Sequence, residues 1–114
     1  MKLQYSELDG GIRLIKLSGA LDMNGTYNIE IEFVRRCAGE NVRVIVDLSR
    51  VNYISSIGIP MLINTAKSIA SQGGKMVLLN PQRNVAEVLE ITGIPQIIPI
   101  YTDIESATAA VATG

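Results

Sequence analysis

The stretch from Arg43 to Ala70 limits the fold more than any other part of the chain. It opens on Val44, Ile45, Val46 and, after Asp47, Leu48, a short run dense in β-branched residues. An apolar run of that length reads as a strand buried on both faces of a parallel sheet. The stretch closes on Ile59, Leu62, Ile63, Ala66, Ile69 and Ala70, which share one face at helical spacing. Between them lies a polar turn, Asn52 to Gly58, with Ser55 and Ser56 at the mouth of the helix. In open α/β sheets, ligands and partners are met at such a place, where the carboxyl end of a strand feeds a helix N-terminus.

The flanking sequence extends this unit in both directions. Leu3–Leu8 and Ile12–Leu17 are strand-like runs joined by Asp9-Gly10-Gly11, a hairpin signal that predicts an antiparallel pair at the sheet edge. Ser18 to Asp22 reads as a loop. Tyr27, Ile31, Val34 and Ala38 repeat as the apolar face of a helix, with Asn24 or Thr26 as its cap and Gly39 as its stop. Cys37 beside that face reads as a small buried apolar residue. After the central unit, Gly73-Gly74 ends the second helix, Met76–Leu79 is a buried strand, and Asn80-Pro81 is a turn. Val85, Val88 and Leu89 predict a third helix stopped by Gly93 and Pro95. Gln96–Ile100 reads as an edge strand carrying Pro99. Thr102-Asp103-Ile104-Glu105 suits a capping box before a last helix with Ile104, Ala107 and Val111 inward. The order ββαβαβαβα predicts a layered α/β domain, with a mixed, mostly parallel sheet and an antiparallel N-terminal edge strand. One domain over residues 1–114 is expected.

Composition closes off several classes of function. The 10 basic residues are scattered and the net charge is −1, so no basic stripe for nucleic acid is present. No apolar run approaches the ~20 residues of a membrane span, and Met1–Ser6 shows no signal-peptide pattern. A single cysteine suits a reducing cytoplasm. With no histidine, zinc sites and the common nucleophile–base pairs are excluded within the chain. No metal, no cofactor and no catalytic residue is expected.

Ser56 is the leading candidate for chemistry. A helix N-terminus favours an anion, and a phosphoryl group brings about −1.5 to −2 charges at neutral pH. The plain alternative is that the serine only caps the helix, with Ser55 the better cap if the helix begins early. Pro60 suits the first helical turn but disfavours helical angles at Ile59, so the helix is expected to start as late as Pro60, leaving Ser56 accessible in the loop. Asp22 and Asp47 each follow apolar runs, and on neighbouring strands they share a rim with Ser56. They read as acceptors for loop amides, or as the carboxylates of a magnesium-dependent receiver-like enzyme. Gly73-Gly74-Lys75 is a helix stop rather than a phosphate loop, because it runs helix to strand.

The run V-I-V-D-L-S-R-V-N-Y-I-S-S-I-G-I resembles the signature segment of STAS domains, the anti-sigma-factor antagonist family. Ser18–Asp22, Gly73–Pro81 and Val85–Pro95 resemble its other motifs, in order, over nearly the whole chain. The resemblance implies that Ser56 is the serine phosphorylated by an anti-sigma-factor serine kinase. It implies that a serine phosphatase restores the unmodified form, and that the unmodified form binds the kinase and releases a sigma factor. The family usually has aspartate where this chain has Ser55, a hydroxyl residue at Ile57, and leucine at Ile59. The docking face is expected over the Leu21–Thr26 and Asn52–Gly58 loops, with Asp22, Asn24, Ser55, Ser56, Ile57, Gly58 and Ile59 as contacts. The second expectation is a STAS interaction subunit of a lipid-transport or signalling assembly that is never phosphorylated.

Overall fold

A computed structural model describes residues 1–112. Its elements are β1 (Lys2–Leu8), β2 (Ile12–Leu21), α1 (Met23–Cys37), β3 (Arg43–Ile54), α2 (Gly58–Ser71), β4 (Lys75–Leu79), α3 (Arg83–Ile91), β5 (Ile100–Tyr101) and α4 (Ile104–Ala112). They form one sheet in the order β1-β2-β3-β4-β5. The β1–β2 pair is antiparallel and the remaining pairs are parallel. This is the architecture the order of elements predicts.

Side-chain alternation divides the core between the two faces of the sheet. Val44, Val46 and Leu48 of β3 point into the larger core, with Phe33 of α1, Leu62 of α2 and Leu89 of α3. Ile45 of the same strand points the other way and meets Val77, Ala107 and Val111 beneath α4. Over Val44–Val46 both faces of β3 are therefore dry, as that apolar run requires.

The first helix is rotated from its expected setting. Ile29, Phe33 and Cys37 are its buried stripe, while Ile31 is 81% exposed and Tyr27 61%. Val34 and Ala38 also face outward. The cap is Asp22, whose Oδ1 accepts from the Gly25 amide at 2.7 Å, rather than Asn24 or Thr26. The cause is the length of β2: its pairing runs to Leu21, so the chain turns into the helix at Asp22. Ser18 to Leu21 is strand, not loop. At the far end, Arg13 of β2 donates to the Arg36 and Ala38 carbonyls at 2.9 and 2.8 Å. This cation holds the negative end of α1.

Gly73 and Gly74 stop α2 as expected: their amides donate to Ala70 and Ile69 carbonyls at 3.1 and 2.9 Å. Gly73 takes the left-handed conformation (φ +80) that this paired closure needs. The last strand is shorter than predicted. Ile94–Gln96 wind into a 3-10 turn begun by Pro95, leaving only Ile100 and Tyr101 to pair with β4. Asp103, not Thr102, caps α4. Its carboxylate accepts from the Ser106 amide at 2.8 Å and the Ser106 hydroxyl at 3.0 Å. Those two bonds hold the Asp103 carboxyl below the usual range. Ile104, predicted to face inward, is exposed, whereas Ala107 and Val111 are buried.

Candidate functional site

Strands β2 and β3 outrun the rest of the sheet. β4 pairs with β3 only as far as Asp47↔Leu79, whereas β2 follows β3 to Leu21↔Ile54. The overrun is irregular, since register shifts fall between Lys16 and Ser18 and between Gly19 and Ala20, with the extra residues in β3. Side chains satisfy the displaced backbone. Asp47 accepts from the Ser49 amide at 2.9 Å. Gln82 and Asn84, at the start of α3, donate to the Ser49 and Asn52 carbonyls at 3.0 and 2.8 Å. The edge left bare by β4 is thus covered rather than open to another strand.

Asp47 is therefore a bulge acceptor within β3. It pairs with Lys16, well short of the strand end that Asp22 follows. Six strand residues lie between Asp47 and Ile54, roughly 20 Å of chain. The expected sharing of a rim by Asp22 and Asp47 does not occur. Among the described residues no group of three metal-binding side chains occurs. Asp22 and Asp47 therefore do not form the carboxylate pair that the magnesium-enzyme reading needs.

At the end of the overrun two helix N-termini converge. α1 begins directly after β2 and α2 three residues after β3. Two glycines allow the approach. A Cβ on Gly25 would overlap the Ala20 carbonyl oxygen, and one on Gly58 would crowd the Leu21 side chain at 3.2 Å. α2 starts at Gly58, earlier than Pro60, because Gly58 and Ile59 are buried against the core and drawn into the first turn. Pro60 is accommodated as the third helical residue. The polar turn is correspondingly short: Asn52 to Ile54 remain strand, and only Ser55, Ser56 and Ile57 connect β3 to α2.

Ser55 fastens this connection. Its amide and its hydroxyl both donate to the Leu21 carbonyl, each at 3.0 Å. Its Oγ accepts from the Ile57 amide at 3.3 Å, and its carbonyl accepts from Gly58 at 3.1 Å. Ser56 stands at the apex, exposed, and its hydroxyl has no partner among the described residues. The two neighbours thus have opposite settings: Ser55 is the cap-like serine and Ser56 is free.

The other predicted contacts sort by depth. Asp22 is half-buried with one carboxylate oxygen spent on the α1 cap, Asn24 is exposed, and Ile57 is half-buried. Gly58 and Ile59 are buried, so they shape the face from beneath and offer no surface. Sequence reasoning missed Met23, at the start of α1, and Tyr53, near the end of β3, both large exposed side chains. Tyr53 was legible as an aromatic residue inside a polar turn.

This arrangement is a platform of two adjoining helix starts, with a tethered serine between them. The model for the STAS domain matches residues 6–107. The chain belongs to the STAS family. BtrV of Bordetella bronchiseptica, a protein named as an anti-sigma factor antagonist, is 33% identical over 114 residues, covering 100% of this chain and 97% of BtrV. The anti-sigma F factor antagonist of Paenibacillus polymyxa is 27% identical over 105 residues, covering 89% of this chain and 88% of that protein. The fold is also that of SpoIIAA. Its unphosphorylated form superposes with a TM-score of 0.77 at 21% identity, covering 99% of this chain and 98% of that one. Its phosphorylated form does so with 0.68 at 19% identity, covering 96% and 99%.

Proposed function

We propose that this STAS chain is an anti-sigma-factor antagonist. Its unphosphorylated form binds an anti-sigma-factor serine kinase and so releases the sigma factor. Phosphorylation of Ser56 switches that binding off, and a serine phosphatase restores it. The chain acts in the cytoplasm as a binding protein rather than an enzyme, over one domain of residues 1–114, the last two of which lie outside the described residues.

The observation that carries this reading is the setting of Ser56: an exposed, unbonded hydroxyl on a short tethered loop between two helix starts. The surroundings suit a protein partner better than a small substrate. A cleft of about 220 Å³ lies between α1 and α2 around Cys37 and Thr65. Another of about 140 Å³ lies at the opposite end of the sheet, around Arg43 and Lys75. Neither includes a rim residue. Among the described residues no helix is long and apolar enough to cross a membrane.

The switch follows from charge. The unmodified rim is neutral at Ser56 and can be covered by a partner. A phosphoryl group adds close to two negative charges there, and burying them without a counter-ion opposes docking. Incubation with the purified kinase and ATP is expected to add one phosphate, located on Ser56 by mass spectrometry. Ser56→Ala is expected to bind without accepting phosphate, and Ser56→Asp to bind more weakly. Phosphate at another residue, or none, removes the assignment. Ser55 in place of the family's aspartate supports a second reading, a STAS interaction subunit of a lipid-transport or signalling assembly. That reading expects a stable complex indifferent to ATP.

A further inference from the structure

Ser55 and Ser56 are chemically identical neighbours, and a kinase reaching this loop meets both. We infer that Ser55 is a positioning residue that sets Ser56 for phosphoryl transfer and is itself excluded as an acceptor. The inference rests on the reading of Ser56 given above and adds what selects it.

Transfer requires the serine oxygen to attack the γ-phosphorus of ATP held by the kinase. The new O–P bond forms as the bond to ADP breaks; ADP departs with the electron pair, and the hydroxyl proton passes to a base of the kinase or to solvent. The attacking oxygen must be reachable and its proton free to leave. The Ser55 hydroxyl meets neither condition. Its proton is donated to the Leu21 carbonyl at 3.0 Å, its oxygen accepts from the Ile57 amide at 3.3 Å, and the residue is half-buried. Ser56 meets both.

The same bonds present Ser56. Leu21 is fully buried, so its carbonyl is a fixed anchor. The Ser55 amide and hydroxyl tie the loop to it, and the Ser55 carbonyl ties the loop to Gly58 at the start of α2. Without the hydroxyl, two backbone bonds remain but the Ile57 amide loses its acceptor. The loop then spends less time in the presenting conformation, and apparent affinity falls by that fraction.

The test uses the full chain, the purified kinase and ATP. Ser55→Ala is expected to raise KM for the protein substrate roughly five-fold with kcat unchanged, the effect of losing one ordinary hydrogen bond. Ser55→Thr, which keeps the hydroxyl, is expected to restore it. Ser56→Ala should take no phosphate on Ser55. Amide exchange supplies a readout without the kinase: in Ser55→Ala the Ile57 amide should exchange several-fold faster while those of Leu62 to Ile69 are unchanged. A wild-type chain that takes no phosphate overturns the functional reading and this one together. A wild-type chain phosphorylated on Ser56, with an unchanged KM in Ser55→Ala or with phosphate on Ser55 in Ser56→Ala, overturns this one alone.

Discussion

Replacing Gly25 by alanine sets two rules against each other. Gly25 lies in the first turn of α1. Helix propensity alone says that alanine there stabilises by about 1 kcal/mol. Packing says the reverse. A Cβ at this position would overlap the Ala20 carbonyl oxygen and stand 3.1 Å from Asp22 Oδ1. Neither neighbour is the free end of a flexible side chain: Ala20 is backbone in β2, and Asp22 is held by its bond to the Gly25 amide. α1 must therefore lift away from the end of β2. Overpacking of this kind costs about 1–3 kcal/mol, and a disturbed Asp22 cap adds about 1 kcal/mol. Against the propensity gain, the balance is a loss of about 2 kcal/mol. With a urea slope of about 1.5 kcal/mol/M for a chain of this size, the unfolding midpoint should fall by about 1.3 M.

The control is Asn28→Ala on the same helix, at an exposed position. It gains propensity without a clash and should raise stability by a few tenths of a kcal/mol. Both variants are read by urea unfolding at 25 °C, followed by circular dichroism. The reasoning is refuted if Gly25→Ala unfolds at or above the wild-type midpoint. That result would mean that the α1 start is not seated on Ala20, and that the rim is looser than described.

Three further outcomes follow from single residues. Among the described residues the buried Thr26 hydroxyl has no partner, so Thr26→Val, which keeps the shape, should stabilise the fold by about 1 kcal/mol in the same urea assay; a loss of that size would reveal a bond to that hydroxyl. Burial pushes the Cys37 thiol up to about 12, with Arg13 opposing only in part. At pH 8 iodoacetamide should therefore label the native chain at least ~10³-fold more slowly than the chain in urea, from thiolate population alone; equal rates would contradict that burial. The Asp103 carboxyl is held below its ordinary range by Ser106. Its support for α4 is therefore complete above the ordinary carboxylate range near pH 4 and is lost as pH falls through the lowered value. Protection of the Ser106 amide, measured against its intrinsic exchange rate, should fall only at the acid end, and Asp103→Ala should remove that pH dependence.

The strand–turn–helix at the centre was legible because its apolar run is continuous and its helical face is single. α1 was not, because it carries two apolar stripes. Tyr27, Ile31, Val34 and Ala38 keep helical spacing, and so do Ile29, Phe33 and Cys37. Periodicity cannot choose between them; contact with the sheet does, and it buries Phe33 in the larger core. The rim was misjudged for a related reason. Ser18 to Leu21 and Asn52 to Ile54 look like loops because they are polar or contain glycine. They are strands because each satisfies the other's backbone, a pairing distant in sequence. The candidate Ser56 was singled out from its place between an apolar strand and an apolar helix, which required neither boundary to be correct.

The geometry also bears on what a phosphate at Ser56 would do to the chain that carries it. A helix start ordinarily welcomes an anion through its free amides. Here the Ile57 and Gly58 amides already end on Ser55, and Pro60 has none to give. The start of α2 therefore has fewer free amides with which to draw the phosphate inward than an ordinary helix N-terminus. On the proposed reading the new charge stays at the surface. The core beneath is sealed by Leu21, Ile54 and Ile59, and nothing in it needs to rearrange. The switch then acts on docking and leaves the fold in place: a local change of charge at a rim held rigid by Ser55, Gly25 and Gly58.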